Sequence, residues 1–174
     1  MMKRIAHFFI WMSRIRYCRG FGIQSPSDYW IVCYVINEHW PYYQYKHLGK
    51  DDDWLTKKLG RLYLRVSNWR QPKTIESNAY QTYFSAGCLT AQYGDSTELI
   101  YLKLEEGSRH DRLTNIYNKV TDDTVLIVEG ISNDRELWKE IIANERSRIT
   151  FDLYYCGIVL FDHKRQKHNY IINF

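Results

Sequence analysis

At 174 residues, with 45% hydrophobic and 25% charged side chains, the chain has the size and composition of one globular domain with a real core. Three Pro and nine Gly argue against a long disordered linker, and no apolar run approaches the roughly 20 residues of a membrane-spanning helix. The net charge of +4 is mild, and its placement says more: Lys3, Arg4, Arg14, Arg16 and Arg19 all precede the first carboxylate, Asp28.

Ile5, Phe8, Phe9, Met12 and Ile15 recur at helical spacing and predict an amphipathic first helix. Its apolar side is expected to pack on the rest of the protein or on a partner subunit. The basic residues beside it read as a solvated face, the alternative being contact with an anionic membrane or a nucleic acid. The apolar run at residues 6–12 is short, contains His7 and is followed by Arg14 and Arg16, unlike a cleaved leader. Cys18, Cys33, Cys88 and Cys156 show no metal-ligand spacing. These features point to a cytoplasmic protein with reduced thiols and no integral membrane segment.

Ser25-Pro26-Ser27-Asp28 reads as a helix start, with a Ser cap and Pro in the first turn, and Val32, Val35 and Ile36 face inward. Tyr42, Tyr43 and Tyr45 form an aromatic loop. Asp51-Asp52-Asp53 resembles a metal-binding run, yet Leu55, Leu59, Leu62, Val66 and Trp69 follow at 4-3-4-3 spacing. The acids are therefore read as a helix cap, with Lys57, Lys58, Arg61 and Arg65 on the outer face.

From Pro72 onward the period alternates between strand and helix. Strands are predicted at residues 72–76, 99–104, 124–128, 149–153, 157–161 and 170–174. A helix is predicted over residues 79–86. Ser108 caps another that presents Leu113, Ile116, Tyr117 and Val120. Asn133 caps a third, with Leu137, Trp138, Ile141 and Ile142 inside. The expected fold is α/β: a reduced Rossmann-like, mainly parallel sheet of about five strands flanked by helices, spanning residues 72–174. Residues 1–71 form an N-terminal helical extension packed on that core.

This order of elements resembles a Bacteroidetes group of class I S-adenosylmethionine-dependent methyltransferases, of the small-molecule O-methyltransferase type. Gly22-Ile23-Gln24-Ser25-Pro26-Ser27 is similar to the group's Gly-Ile-His-Ser-Pro-Phe stretch. Arg61-Leu62-Tyr63-Leu64-Arg65 through Gln71-Pro72-Lys73-Thr74-Ile75 is similar to its helix leading into the first strand. Residues 124–131, Trp138, Thr150-Phe151-Asp152-Leu153 and Gly157-Ile158-Val159-Leu160-Phe161 are similar to its fifth strand, following helix and closing strands.

The departures bear on function. In the family the first strand ends in an acid and a Gly-rich loop that cradles the cofactor; here Glu76 is followed by Ser77-Asn78-Ala79. The family's sheet runs third, second, first, fourth, fifth, seventh, sixth, and its second strand carries an acid for the cofactor ribose. Here one strand, 99–104, fills the interval before the fifth. A gap in mid-sheet would leave backbone groups unpaired, so 99–104 is expected between 74–76 and 124–128, with the ribose-binding edge lost. The resemblance makes Glu76, Ser77, Asn78, Glu106 and Glu129 the candidate cofactor-binding positions. Glu106 and Glu129 are also the candidate metal ligands, but Gly130 supplies no further ligand and no metal is expected. His110 is the candidate general base. The expected function is that of a catalytically inactive relative, without cofactor, that binds a protein or small molecule or a second copy of itself. The alternatives are an active S-adenosylmethionine-dependent methyltransferase with an altered site, and a peripheral membrane or nucleic-acid binder acting through the basic first helix.

Overall fold

The computed structural model describes residues 2–104 and 109–174. The chain divides into two compact units: a helical one made of Met1–Gln71, Tyr80–Ala91 and Ile172–Phe174, and a sheet-centred one made of Pro72–Ala79 and Gln92–Ile171. The helical unit thus takes in more than the first 71 residues.

The sheet unit carries seven strands, against an expected sheet of about five: β1 (Thr74–Glu76), β2 (Gln92–Tyr93), β3 (Leu99–Lys103), β4 (Val125–Glu129), β5 (Ile149–Asp152), β6 (Cys156–Leu160) and β7 (His168–Ile171). Their order is β2-β1-β3-β4-β6-β5-β7. The pairs β2–β1, β1–β3, β3–β4 and β5–β7 are parallel, and β6 runs antiparallel to both β4 and β5. The sheet is therefore mixed, with β6 alone reversed. As the continuity argument requires, β3 lies between β1 and β4. The strand without a sequence signal is β2, only two residues long and exposed on both, so it has no alternation. At the other edge, β7 begins and ends earlier than the predicted 170–174. Ile172 and Asn173 are buried, but in the helical unit, so their apolar signal is not a strand signal.

β4 is buried over its first four residues and β6 over all five, as strands covered on both faces should be. One face of the sheet packs on α5 (Arg109–Lys119) and α6 (Arg135–Ala143). Leu113, Ile116 and Val120 from the α5 side and Leu137, Trp138 and Ile141 from α6 join Ile100, Leu102, Leu126, Val128 and Val159 in one core. The indole of Trp138 donates to the Asp152 carboxylate (3.2 Å), which also accepts from Arg135 (2.6 Å). The cap of α6 is Asp134, whose carboxylate accepts from Leu137 N, rather than the expected Asn133. The expected Ser108 cap lies outside the described residues.

The helical unit contains α1 (Met2–Ser13), α2 (Pro26–Ile31) with a π-helical last turn Val32–Ile36, α3 (Trp54–Arg70) and α4 (Gln81–Gly87). Ser25 caps α2 and Asp53 caps α3, the latter accepting from Thr56 N at 2.8 Å, so the acidic run does serve as a cap. Leu59, Leu62 and Val66 are buried as the spacing implies. Arg65 is not on the outer face. It is 6% exposed, donating from Nε to Val35 O (2.6 Å) and from Nη2 to Ile36 O (2.8 Å). A helix leaves its last carbonyls unpaired and partially negative, so this guanidinium finds both its acceptors and its countercharge at the end of the π turn.

α4 packs on α3 at short range, which is why Tyr80–Ala91 belongs to this unit rather than to the sheet. Ser67 Oγ donates to Phe84 O (2.8 Å), and Tyr63 stacks on Phe84 with ring centroids 5.6 Å apart. The approach depends on two residues lacking a side chain. A Cβ on Gly60 would come within 2.6 Å of the Tyr83 ring, and one on Gly87 within 2.2 Å of Leu64 O.

The apolar side of α1 is not packed on the rest of this chain. Phe8, Phe9, Met12 and Ile15 are 55%, 66%, 47% and 52% exposed, so this chain alone does not cover them. The helix and the residue after it are held instead by three other contacts. His7 packs on Trp54 with ring centroids 4.5 Å apart, Trp11 O accepts from Asn173 Nδ2, and Arg14 donates to Ile172 O. Hydrophobicity marked one face, and hydrogen bonds to residues more than 150 positions away selected another.

His7 supplies a pH-dependent contribution. Burial, reinforced by the Lys58 ammonium, lowers its imidazole to about 4, below the ordinary value of roughly 6.5. The unfolded chain therefore takes up the proton first. The resulting stability is fully present above the unfolded value and is lost as pH falls toward the folded one. The thermal midpoint of the protein is expected to fall between pH 6.5 and about 4 more steeply than that of a His7→Phe variant. Equal slopes in the two proteins would refute this assignment.

Candidate functional site

The sequence-derived candidates are not gathered at one place. Glu76 ends β1 level with Ile100, and Ile100 pairs with Leu126. Glu129 stands three residues further along β4. Three residues of rise and two strand spacings put the two Cα atoms roughly 14 Å apart. Glu106 lies outside the described residues, as does its neighbour Glu105. His110, in the first turn of α5, is 69% exposed and pairs with the exposed Glu140 at 3.2 Å.

Glu76 is engaged inside its own unit. Its carboxylate accepts from Lys119 Nζ at the end of α5 and, at 3.4 Å, from Ser96 N. The same ammonium donates to Asp95 (2.5 Å), two residues beyond β2. Partial burial lowers the Lys119 ammonium, but its bonds to the two carboxylates outweigh this and hold it above its usual value. Lys119 in turn holds the Asp95 carboxyl below the usual carboxylate range. Ser77 closes a local turn, its hydroxyl donating to Ala79 O and accepting from Ala79 N, and Asn78 is exposed. The left-handed residue that follows is Tyr80 (φ 57°), a conformation glycine adopts without cost. Its ring packs edge-on against Tyr63, with centroids 4.8 Å apart.

On the surface, Asp122, Asp162 and His163 bring their oxygens and ring nitrogen within 4.8 Å of one another. The imidazole pairs with Asp122, holding that carboxyl below its usual range. Backbone amides of His163 and Lys164 occupy Asp122 and Asp162, so the cluster is accounted for as a charged turn.

A cleft of about 1070 Å³ in the helical unit was not anticipated. The loop after α2, with Trp40, Tyr42, Tyr43 and Tyr45, forms one wall, and the first turns of α3 with Phe174 form another. Lys46, Lys57, Lys58, Arg61 and Arg65 all line it, against Glu38 as the one acidic side chain in the lining. That carboxylate accepts from Tyr42 OH (2.7 Å); burial first, and this bond second, raise the phenol to about 12. Lys46 lies 5.9 Å from the Tyr43 ring centroid, Arg61 4.8 Å from that of Tyr45, and Lys58 4.4 Å from that of Phe174. Among the described residues no carboxylate forms an ion pair with Lys46, Lys57, Arg61 or Arg65. The sequence held both halves of this site, an aromatic loop and a basic stripe on α3, but nothing local joined them.

Compared with protein-family models, with curated proteins and with solved structures, the chain gives no significant match.

Proposed function

We propose that this chain is a binding protein built on a reduced methyltransferase-like sheet and that it does not transfer methyl groups. Support for the ancestry comes from the strand order. With β2, β1, β3, β4, β6 and β5 taken as second, first, fourth, fifth, seventh and sixth, six of the seven strands run in the family's order without its third strand, and β7 is an addition beyond the sixth. The two-residue β2 then stands as a remnant of the second strand, so that edge is cut down rather than wholly lost.

The observation that carries the loss of activity is the Glu76–Lys119–Asp95 arrangement. A cofactor hydroxyl at Glu76 would have to compete with a charge-assisted bond worth roughly 1.5–3 kcal/mol. The turn behind it is filled by Ser77 and runs into Tyr80 where a glycine turn would leave room. These residues do not fit S-adenosylmethionine. Calorimetric titration with S-adenosylmethionine and with S-adenosylhomocysteine is expected to show no binding tighter than about millimolar, since two forfeited bonds of this kind weaken a micromolar ligand by around a hundredfold or more. A micromolar dissociation constant for either would overturn the proposal and restore the enzyme reading.

A second reading draws on α1. Its exposed Phe8, Phe9, Met12 and Ile15 and the absence of any acid before Asp28 suit an anionic membrane surface. No helix among the described residues is long and apolar enough to cross a membrane, so such contact would be peripheral. Salt-sensitive sedimentation with anionic vesicles distinguishes the two readings.

A further inference from the structure

We propose that the aromatic, basic cleft of the helical unit is a binding site for a phosphate-bearing organic anion whose remaining part packs on the rings. This inference does not rest on the reading of the sheet. Three observations carry it.

Charge is the first. Five cationic side chains line the cleft against one acidic side chain, Glu38, whose carboxylate is bonded to Tyr42. The imbalance is local, because the whole chain carries a net charge of only +4. Like charges gathered together repel one another, and a cleft lined mainly by one sign of charge concentrates ligands of the other.

The existing contacts of the cations are the second. Arg65 is fixed by Val35 O, Ile36 O and Tyr45 OH, so its role is to hold the wall and supply positive potential. Lys57 makes one bond, to Lys50 O. Lys46 and Arg61 rest over tyrosine rings. Exposed cation–π contacts are weak, and a phosphate oxygen offers these groups a stronger, charge-assisted partner. The rings they rest on are then available to the body of the ligand, and Trp40, 75% exposed, adds a further face.

The third is a polar atom in the lining. The side-chain amide nitrogen of Asn37 is buried and has no acceptor among the described residues. A buried donor without a partner is costly, and a ligand oxygen would satisfy it. Glu38 opposes an anion at one side of the cleft, which places the phosphate toward Lys46, Lys57 and Arg61 rather than toward Tyr42.

The probes are ATP, pyrophosphate and adenosine, followed by calorimetry and by the fluorescence of Trp40 and Trp54 at low salt. ATP is expected to bind most tightly. Pyrophosphate should bind more weakly, and adenosine at least about tenfold more weakly than ATP because it lacks the charge. ATP affinity should fall as salt is raised. In a Lys46→Glu/Lys57→Glu variant, which leaves Arg65 and the buried core intact, ATP affinity is expected to drop at least about tenfold with an unchanged thermal midpoint. A control reversal at the surface, Lys164→Glu/Arg165→Glu, is expected to leave binding as it was. Phosphatidylcholine vesicles containing phosphatidylinositol bisphosphate form a separate arm. Capture by these vesicles, abolished by the cleft variant and absent with soluble ATP, would identify a lipid headgroup as the source of the phosphate. Failure of ATP, pyrophosphate and vesicles alike to bind would refute the site, as would equal weakening by the cleft and control reversals. Neither result bears on S-adenosylmethionine, so this proposal and the one above fail separately.

Discussion

Replacing Arg65 by methionine is expected to destabilise the protein by about 3 kcal/mol, although the stem it removes is apolar and its replacement is too. The guanidinium donates to two backbone carbonyls and a phenol. Methionine keeps the packing volume but leaves Val35 O and Ile36 O without this donor at the end of the π turn. Relief of the buried charge offsets part of the loss, because a desolvated cation is itself costly, yet orphaned carbonyls do not recover their bonds. For a chain of this length each kcal/mol moves the thermal midpoint by roughly 2–4 °C, so a fall of about 6–12 °C is expected. Arg65→Lys, which keeps the charge but not the fork, should fall between wild type and Arg65→Met. A solvated residue on the outer face of α3 would shift stability by no more than about 0.5 kcal/mol. A change that small in Arg65→Met, measured by thermal or denaturant unfolding, would contradict the buried role.

Gly87→Ala is expected to be about as damaging, against the intrinsic preference of the helix. In an isolated helix the exchange gains roughly 1 kcal/mol. Here the new Cβ would lie 2.2 Å from Leu64 O, 2.9 Å from Asn68 N and 2.9 Å from Ser67 Cβ. The nearest of these are backbone atoms of α3, so no side chain can swing aside and α4 itself must move. That displacement threatens the Ser67–Phe84 bond and the Gln71 Nε2 bond to Gly87 O. Overpacking of this kind costs about 1–3 kcal/mol or more, and a rigid backbone obstacle belongs at the upper end. A drop of about 6–12 °C in thermal midpoint is expected. Gly94→Ala serves as the comparison, since a Cβ there meets nothing within 4 Å and should be close to neutral. If Gly87→Ala matched Gly94→Ala, the close approach of α3 and α4 would be disproved.

Local patterns carried far in this chain. Alternation of period placed β1, β3, β4, α5, α6, β5 and β6 near their observed positions. Leu113, Ile116, Leu137, Trp138 and Ile141 have the spacing of core residues and are buried. Ser25 and Asp53 cap their helices because a short polar side chain before an apolar run has few other local uses. The order of β1, β3 and β4 followed from the need to pair backbone groups in a sheet. β2 escaped because two exposed residues hold no period.

What the sequence determined by itself was therefore the α/β alternation, the inward positions of each element and the helix starts, all set by side chains within about one or two turns of each other. The tertiary structure alone decided which surface each element met. Arg65 has the spacing of a solvated stripe, but its partners are 29 and 30 residues away. Glu76 has the position of a cofactor acid, but the lysine that occupies it is 43 residues away. Tyr80–Ala91 follows a strand in the sequence, yet glycines at 60 and 87 let α4 pack on α3. The cleft likewise needed a tyrosine loop and a basic helix face to be brought together. Periodicity records that a side chain is buried or solvated; it holds no record of the distant group that satisfies its charge, and in this protein those distant groups separate a candidate site from a structural ion pair.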